Sequence, residues 1–367
     1  MSKEDAETNW NNMRDSIKRI YDQQASNLSY EELYRTGYNL VLHKYGDLLY
    51  NGVKQATVEQ LKPFKNILEQ CPEDQLLKEF SNTWERCKMC IDMIKDILMY
   101  MDRNYVPKQK LPTVEHMQTS QFKNHVILTE TIKKRFIQKI LQEIWLERDG
   151  NIVDRTLLRK NISMLVEVGI SSKKLYEQEF EQPFIEQTRE FYRNLSNSLI
   201  TSLTCPEFLS IAQKRLEGEL DLQKYCLDYS TEKVLVQTFL QEFIENHAQT
   251  LLNMETSGLI TLIKFEKYDE IKLMYELFKK VPASFELLKQ HLQNYIIREG
   301  DKLIQDENLK NEELVAKLIE LKMKTSNLLS KCFKDDQQLE ISLRGAYESF
   351  INKSNRTAMS LVAYLDD

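Results

Sequence analysis

Cys87 and Cys90 are the residues whose spacing comes nearest to a chemical motif. A C-x-x-C pair holds zinc when a second ligand pair follows it, or exchanges disulfides where a helix terminus lowers a thiol pKa. No second pair follows, and the helical period puts both sulfurs on one face with Ile94, which is the pattern of core thiols. The five histidines (His43, His116, His125, His247 and His291) are far apart, and none adjoins a Cys or acidic cluster at ligand spacing. The chain has no glycine-rich phosphate loop, no G-x-S-x-G elbow and no H-E-x-x-H helix. Acidic pairs are frequent, as a charged fraction of 29% makes unavoidable, and none stands isolated among apolar residues. Nothing here supports catalysis, and nothing calls for a metal or cofactor.

What remains is the chemistry of contact. Tyr30, Tyr34, Tyr38 and Leu42 recur every four residues, a stripe that advances slowly around a helix. Leu33, Gly37, Leu40, Val41 and Leu48 fall on the adjoining face. The two stripes together cover roughly half the circumference, more than the ~100° a helix needs to pack on one core. Such a helix is either buried between two internal neighbours or docks on a core with one face and on a partner with the other. A second helix, Trp84 to Tyr105, shows the same surplus. With Ile94 at the centre of its core face, Cys87, Cys90, Ile91, Ile97, Leu98, Met101 and Tyr105 cluster around it. Met89, Met93 and Tyr100 then form a separate stripe near Asp96 and Arg103. Tyr, Met and Arg are enriched in interface cores, because they offer large or adaptable contact area. If the two helices lie side by side, their outer stripes merge into one patch.

The elements that must position these residues are helices. Only 9 Gly and 7 Pro occur in 367 residues, and long Leu/Ile/Glu/Lys/Gln segments separate them. Ser29 followed by Glu32 is a capping box that starts one helix, which the pattern carries to about Gly52. An earlier helix spans Trp10 to Tyr21. A short helix lies before Pro63 or flanks it, Pro72 opens the long helix that ends near Val106-Pro107, and Pro107 to Pro112 reads as a linker. Further helices cover Thr113 to Arg148, Ile152 to Val168, Lys173 to Glu181, Pro183 to Leu203 and Pro206 to Leu227. Asp228 to Glu232 is a second boundary. Helices then run Glu232 to Glu255, Leu273 to Lys280, Ser284 to Arg298 with Gly300 after it, Glu312 to Cys332, and Gln337 to Asn352. No segment alternates with period two, so the fold class is all-α. Three stretches of similar length (1–112, 113–229 and 230–367) suggest stacked modules in an elongated rod.

A net charge of −6 argues against a general nucleic-acid binder, and Lys133-Lys134-Arg135 reads as a solvated helix face. No apolar run approaches ~18 residues, so no membrane span is predicted. Six scattered cysteines and a polar start predict an intracellular protein with reduced thiols.

The stretch from Leu28 through Tyr34, with Val41-Leu42-His43-Lys44-Tyr45-Gly46-Asp47-Leu48-Leu49-Tyr50, closely resembles the N-terminal half of cullins of the cullin-3 subfamily. So does Ile97-Leu98-Met99-Tyr100-Met101-Asp102-Arg103-Asn104-Tyr105-Val106. Glu147 to Arg155, Leu175 to Phe184, Glu190-Phe191-Tyr192 and Leu273 to Pro282 are similar to segments common to many cullins. The resemblance spans nearly the whole chain. It implies three five-helix cullin repeats and a non-catalytic scaffold of a ubiquitin ligase, located in cytoplasm and nucleus. It further implies a BTB-domain substrate adaptor seated on the second and fifth helices of the first repeat. By motif the contacts are Leu28, Tyr30, Glu31, Tyr34 and Tyr38, with Tyr100 and Arg103; Leu42 and Met93 join them from the outward stripes.

Two departures matter. The subfamily usually carries phenylalanine where this chain has Tyr30, which adds a hydroxyl that must stay wet or find a partner. Only nine residues precede Trp10, so the apolar N-terminal extension that strengthens adaptor binding in the subfamily is expected to be missing. The chain stops at Asp366-Asp367, where the third repeat should end. The half that recruits the RING-finger subunit is therefore expected to be absent. Two rivals stay open: another cullin subfamily with a Skp1-like adaptor on the same surface, and a helical-repeat tether with no ubiquitin connection.

Overall fold

The computed structural model describes residues 1–353; the expected end of the last repeat at Asp366-Asp367 lies outside them. The described residues form helices joined by short turns, with no strand among them. They divide into two compact units, one of Met1–Phe184 with Leu222–Thr231, the other of Ile185–Asp221 with the chain from Glu232 on.

The first unit begins with α1 (Lys3–Tyr21), α2 (Tyr30–Leu42), α3 (Gly46–Gln70), α4 (Leu76–Ile97), α5 (Met99–Asn104) and α6 (Val106–Gln109). It continues with α7 (Val114–Phe122), α8 (Glu130–Arg148), α9 (Arg155–Glu167) and the single turn α10 (Lys174–Tyr176). Its core is aromatic. Phe80 stacks on Phe136 with ring centroids 4.0 Å apart, and Trp84 lies against Phe122 at 5.0 Å. Cys87 and Cys90 are buried in this core, where Cys90 Sγ donates to the Ile20 carbonyl. The last carbonyls of α3 would be orphaned, and Arg135 of α8 reaches over to serve them. Its guanidinium donates to Leu68 O and Glu69 O, both at 3.0 Å, and to Cys71 O at 2.5 Å.

Chain then runs through α11 (Gln182–Ile200), α12 (Cys205–Cys226), α13 (Thr231–Phe243), α14 (Ala248–Asn253) and α15 (Leu259–Lys264). The last helices are α16 (Tyr268–Phe278), α17 (Pro282–Gln305), α18 (Asn311–Cys332) and α19 (Gln337–Ile351). In the second unit Phe239 and Phe243 stack at 5.1 Å. Asp336 caps α19 by accepting from Gln338 N and Leu339 N, while Lys279 and Tyr275 hold its other oxygen.

Several expected boundaries move, for physical reasons. The capped helix stops at Leu42, not near Gly52. Lys44 takes a left-handed φ of 68°, and the Tyr45 amide donates back to Leu40 O at 2.8 Å. Leu48 therefore belongs to α3. Pro63 breaks nothing: it sits on the exposed side of α3, where a carbonyl that loses its partner meets water. The long helix expected to end at Val106-Pro107 is broken at Leu98, whose ψ of 17° ends α4 and starts α5. Pro107 begins no free linker, since it lies in α6, and Tyr50 Oη holds the Pro112 carbonyl at 2.9 Å.

Two glycines that mark helix ends in the sequence are instead helix-interior seats for rings. A Cβ on Gly52 would stand 2.5 Å from the Trp10 indole, and one on Gly300 would stand 2.6 Å from the Phe350 ring. Both positions need the absence of a side chain, not a left-handed backbone.

Candidate interaction face

The face is built on α2. Ser29 caps it, its Oγ accepting from the Glu32 amide at 3.3 Å. Leu33, Gly37 and Leu40 are buried and form the inner side. Gly37 lets α2 come close to the break between α4 and α5: a Cβ there would lie 3.2 Å from Leu98 Cδ2 and 3.8 Å from Ile97 O. The helix thus packs on one side only, which settles the choice between an internal helix and one with a free face.

The other side faces out. Tyr30, Tyr34 and Leu42 are exposed, Leu42 by 52%, and Leu28 and Tyr38 are half-buried. α4 and α5 supply the rest. Tyr38 and Tyr100 meet as tilted rings with centroids 4.4 Å apart, which joins the α2 stripe to α5. Tyr30 Oη donates to the Met93 carbonyl at 3.2 Å, which joins the start of α2 to the end of α4. Burial pushes the Tyr30 phenol pKa up, and the Asp96 carboxylate adds to the rise. The added hydroxyl has found a partner.

Glu31 and Arg103 are exposed at the edges of this face. Arg35 Nη2 holds the Glu31 carboxylate at 2.7 Å, an i,i+4 pair on the surface of α2. Among the described residues Arg103 has no ion-pair partner.

Of the nine candidate residues, the structure therefore joins Tyr30 to Met93 and Tyr38 to Tyr100. Leu28, Tyr34 and Leu42 lie along the α2 side without a bond to the others. Sequence reasoning missed three supports. Arg35 carried a signal, being four residues from Glu31. Leu98 carried none. Tyr105 was placed on the core face, yet it does more: its ring lies over Gly46, its hydroxyl bonds Asp47, and its pKa is pushed up to about 12 by burial and that carboxylate. Met89 is 61% exposed on α4, the barest methionine near this face.

The base of α5 is tied as well. Asp102 Oδ1 accepts from the Val114 amide at 2.8 Å, and burial raises its carboxyl pKa against the pull of that amide. The face offers aromatic and thioether contact area flanked by the Glu31 and Arg103 charges, the side-chain types enriched in interface cores. Among the described residues no group of three or more His, Cys, Asp or Glu could hold a metal ion. No helix among them is long and apolar enough to cross a membrane.

Comparison with known proteins gives a family. The cullin alpha solenoid domain matches residues 10–367. The chain is 35% identical to Cullin-3 of Dictyostelium discoideum over 360 residues, covering 98% of this chain and 47% of that protein. It is 32% identical to Cullin-3A of Arabidopsis thaliana over 364 residues, covering 99% and 49% respectively. Against Cullin-4A of Mus musculus the identity is 30% over 365 residues, covering 96% and 46%. The chain spans about half the length of the curated relatives it matches.

Proposed function

The chain belongs to the cullin family, and on that premise we propose that it is the adaptor-bearing part of a ubiquitin-ligase scaffold. It binds a BTB-domain substrate adaptor through α2 and α5, with Met93 of α4 at the border. The observation that carries this reading is the one-sided packing of α2. Its tyrosine stripe is left facing out and is joined to α5 by the Tyr38–Tyr100 ring pair. Support also comes from relatives named Cullin-3 among the matches.

The mechanism is geometric. Helical repeats, divided near 112 and 229, hold an adaptor at a distance from the part of the scaffold that recruits a RING-finger subunit. No step of chemistry falls to this chain, which works in cytoplasm and nucleus. Tyr34, exposed at the middle of the stripe, is the anchor. Glu31 and Arg103, at the rim, set register and partner choice more than affinity.

Isothermal titration of the chain against a panel of BTB domains and a Skp1-like protein tests this. A BTB domain should bind, and Tyr34→Ala should weaken it by ~2 kcal/mol, roughly thirtyfold, with helix content unchanged. Binding to the Skp1-like protein alone, or a Tyr34→Ala variant of undiminished affinity, refutes the assignment.

A further inference from the structure

Tyr30 does something that phenylalanine in its place could not. Its ring lies on the outward stripe, 44% exposed, but its hydroxyl turns inward to the Met93 carbonyl. That carbonyl sits five residues before the break at Leu98, in the last turns of α4. A helical carbonyl has two lone pairs and uses one for its own helix, so the second is free for the phenol without loss to α4. The Ser29 cap closes the first turn of α2 on itself, but no other bond among the described residues ties that turn to α4 or α5. The 3-10 turn Ala25–Asn27 leads into it, Leu28 is only half-buried, and the contacts that seat α2 on its neighbours begin at Leu33. Leu28 and Glu31, which flank Tyr30, have no bond of their own to α4 or α5 among the described residues.

We infer that Tyr30 is a latch: its hydrogen bond to Met93 fixes the first turn of α2 on α4 and presets the end of the interaction face before a partner arrives. The face is then held at two points, Tyr30 on α4 and Tyr38 on α5, with Gly37 seated on Leu98 between them. Tyr30 acts here as a positioning residue, and its benefit to binding is the ordering cost already met in the free chain. This rests on the adaptor-binding reading of the same face.

Tyr30→Phe is the test, because it keeps the ring and removes only the donor. Hydrogen exchange on the free chain should show the Glu32 and Leu33 amides exchanging faster, by about the two- to tenfold worth of one hydrogen bond. Global unfolding should stay close to the parent. Affinity for the BTB domain should fall by a similar factor, with the loss mainly in the association rate. Tyr30→p-aminophenylalanine, which restores a donor, should recover both. Unchanged exchange in Tyr30→Phe overturns the latch, whatever the affinity does. Faster exchange with unchanged affinity overturns the positioning role. If the parent chain binds no BTB domain, the reading of the face fails, while exchange on the free chain still decides the latch.

Discussion

Replacing Gly46 with alanine tests how the end of α5 is held against the start of α3. A Cβ at this position would stand 2.3–2.8 Å from three carbons of the Tyr105 ring, closer than carbon atoms tolerate. Either the ring or the start of α3 must move. The ring cannot swing clear without releasing Asp47, to which its hydroxyl is bonded. Overpacking of this kind costs about 1–3 kcal/mol. Loss of the phenol–carboxylate bond, at an exposed site, adds up to about 1 kcal/mol. Removing a glycine from a helix offsets this by about 0.5–1 kcal/mol. The net expectation is destabilisation of about 2 kcal/mol.

The assay is favoured by the placement of tryptophan. Trp10, Trp84 and Trp145 are the three in the sequence, and all lie in the first unit. Guanidinium unfolding followed by their fluorescence therefore reads that unit, and the midpoint should fall at nearly constant slope. A double-mutant cycle supplies the control. Tyr105→Ala removes the obstacle, so in its background the Gly46→Ala penalty should vanish or reverse. A single variant within about 0.5 kcal/mol of the parent, or a penalty undiminished without the ring, refutes the clash as the cause.

Other outcomes follow from buried groups. His247 is buried with Nε2 3.0 Å from Ser196 Oγ, and burial pushes its pKa down while Glu242 pulls weakly the other way. A depressed folded pKa gives stability that is full above the unfolded value of about 6.5 and is lost as pH falls through the folded one. Tyrosine near-UV circular dichroism should show melting fall more from pH 7.5 to 5.5 in the parent than in His247→Gln; parallel profiles refute this. Burial also pushes the Cys87, Cys90 and Cys205 thiols up, Cys90 to about 11, while Cys71 alone is partly exposed among the free cysteines. Iodoacetamide at pH 8 should label native Cys71 first and Cys87, Cys90 and Cys205 only on unfolding. Labelling of Cys90 at the rate of Cys71 would show that the core opens readily.

The helical class and the α2 start were legible because their signals are local. Ser29 and Glu32 announce a cap, and Leu33, Gly37 and Leu40 repeat with the helical period. The outward residues were legible for the same reason. What could not be read was decided by contacts distant in sequence. Gly52 and Gly300 look like stops until Trp10 and Phe350 are found resting on them. Leu98 is a good helix former, yet the chain bends there, where Gly37 of α2 meets it from 61 positions away. Around Pro63 the sequence leaves open a short helix before it or one flanking it; the structure carries α3 straight through, with Pro63 on the exposed side. On the face itself, the periodicity found Tyr30 and Met93 separately, but only packing shows that one bonds the backbone of the other.

The six residues of α5 make less than two turns, while an isolated helix needs roughly 12 residues to persist in water. α5 exists because neighbours hold it: Asp102 on the Val114 amide, Tyr105 on Asp47 and over Gly46. The α5 part of the face, Tyr100 and Arg103, therefore rides on an element whose local opening is expected to take less free energy than unfolding of the whole unit. Mild denaturant should in consequence switch off the proposed adaptor binding before tryptophan fluorescence changes. The unit would stay folded while α5 came and went, so that on the proposed reading partner recognition and rigidity would be separately adjustable.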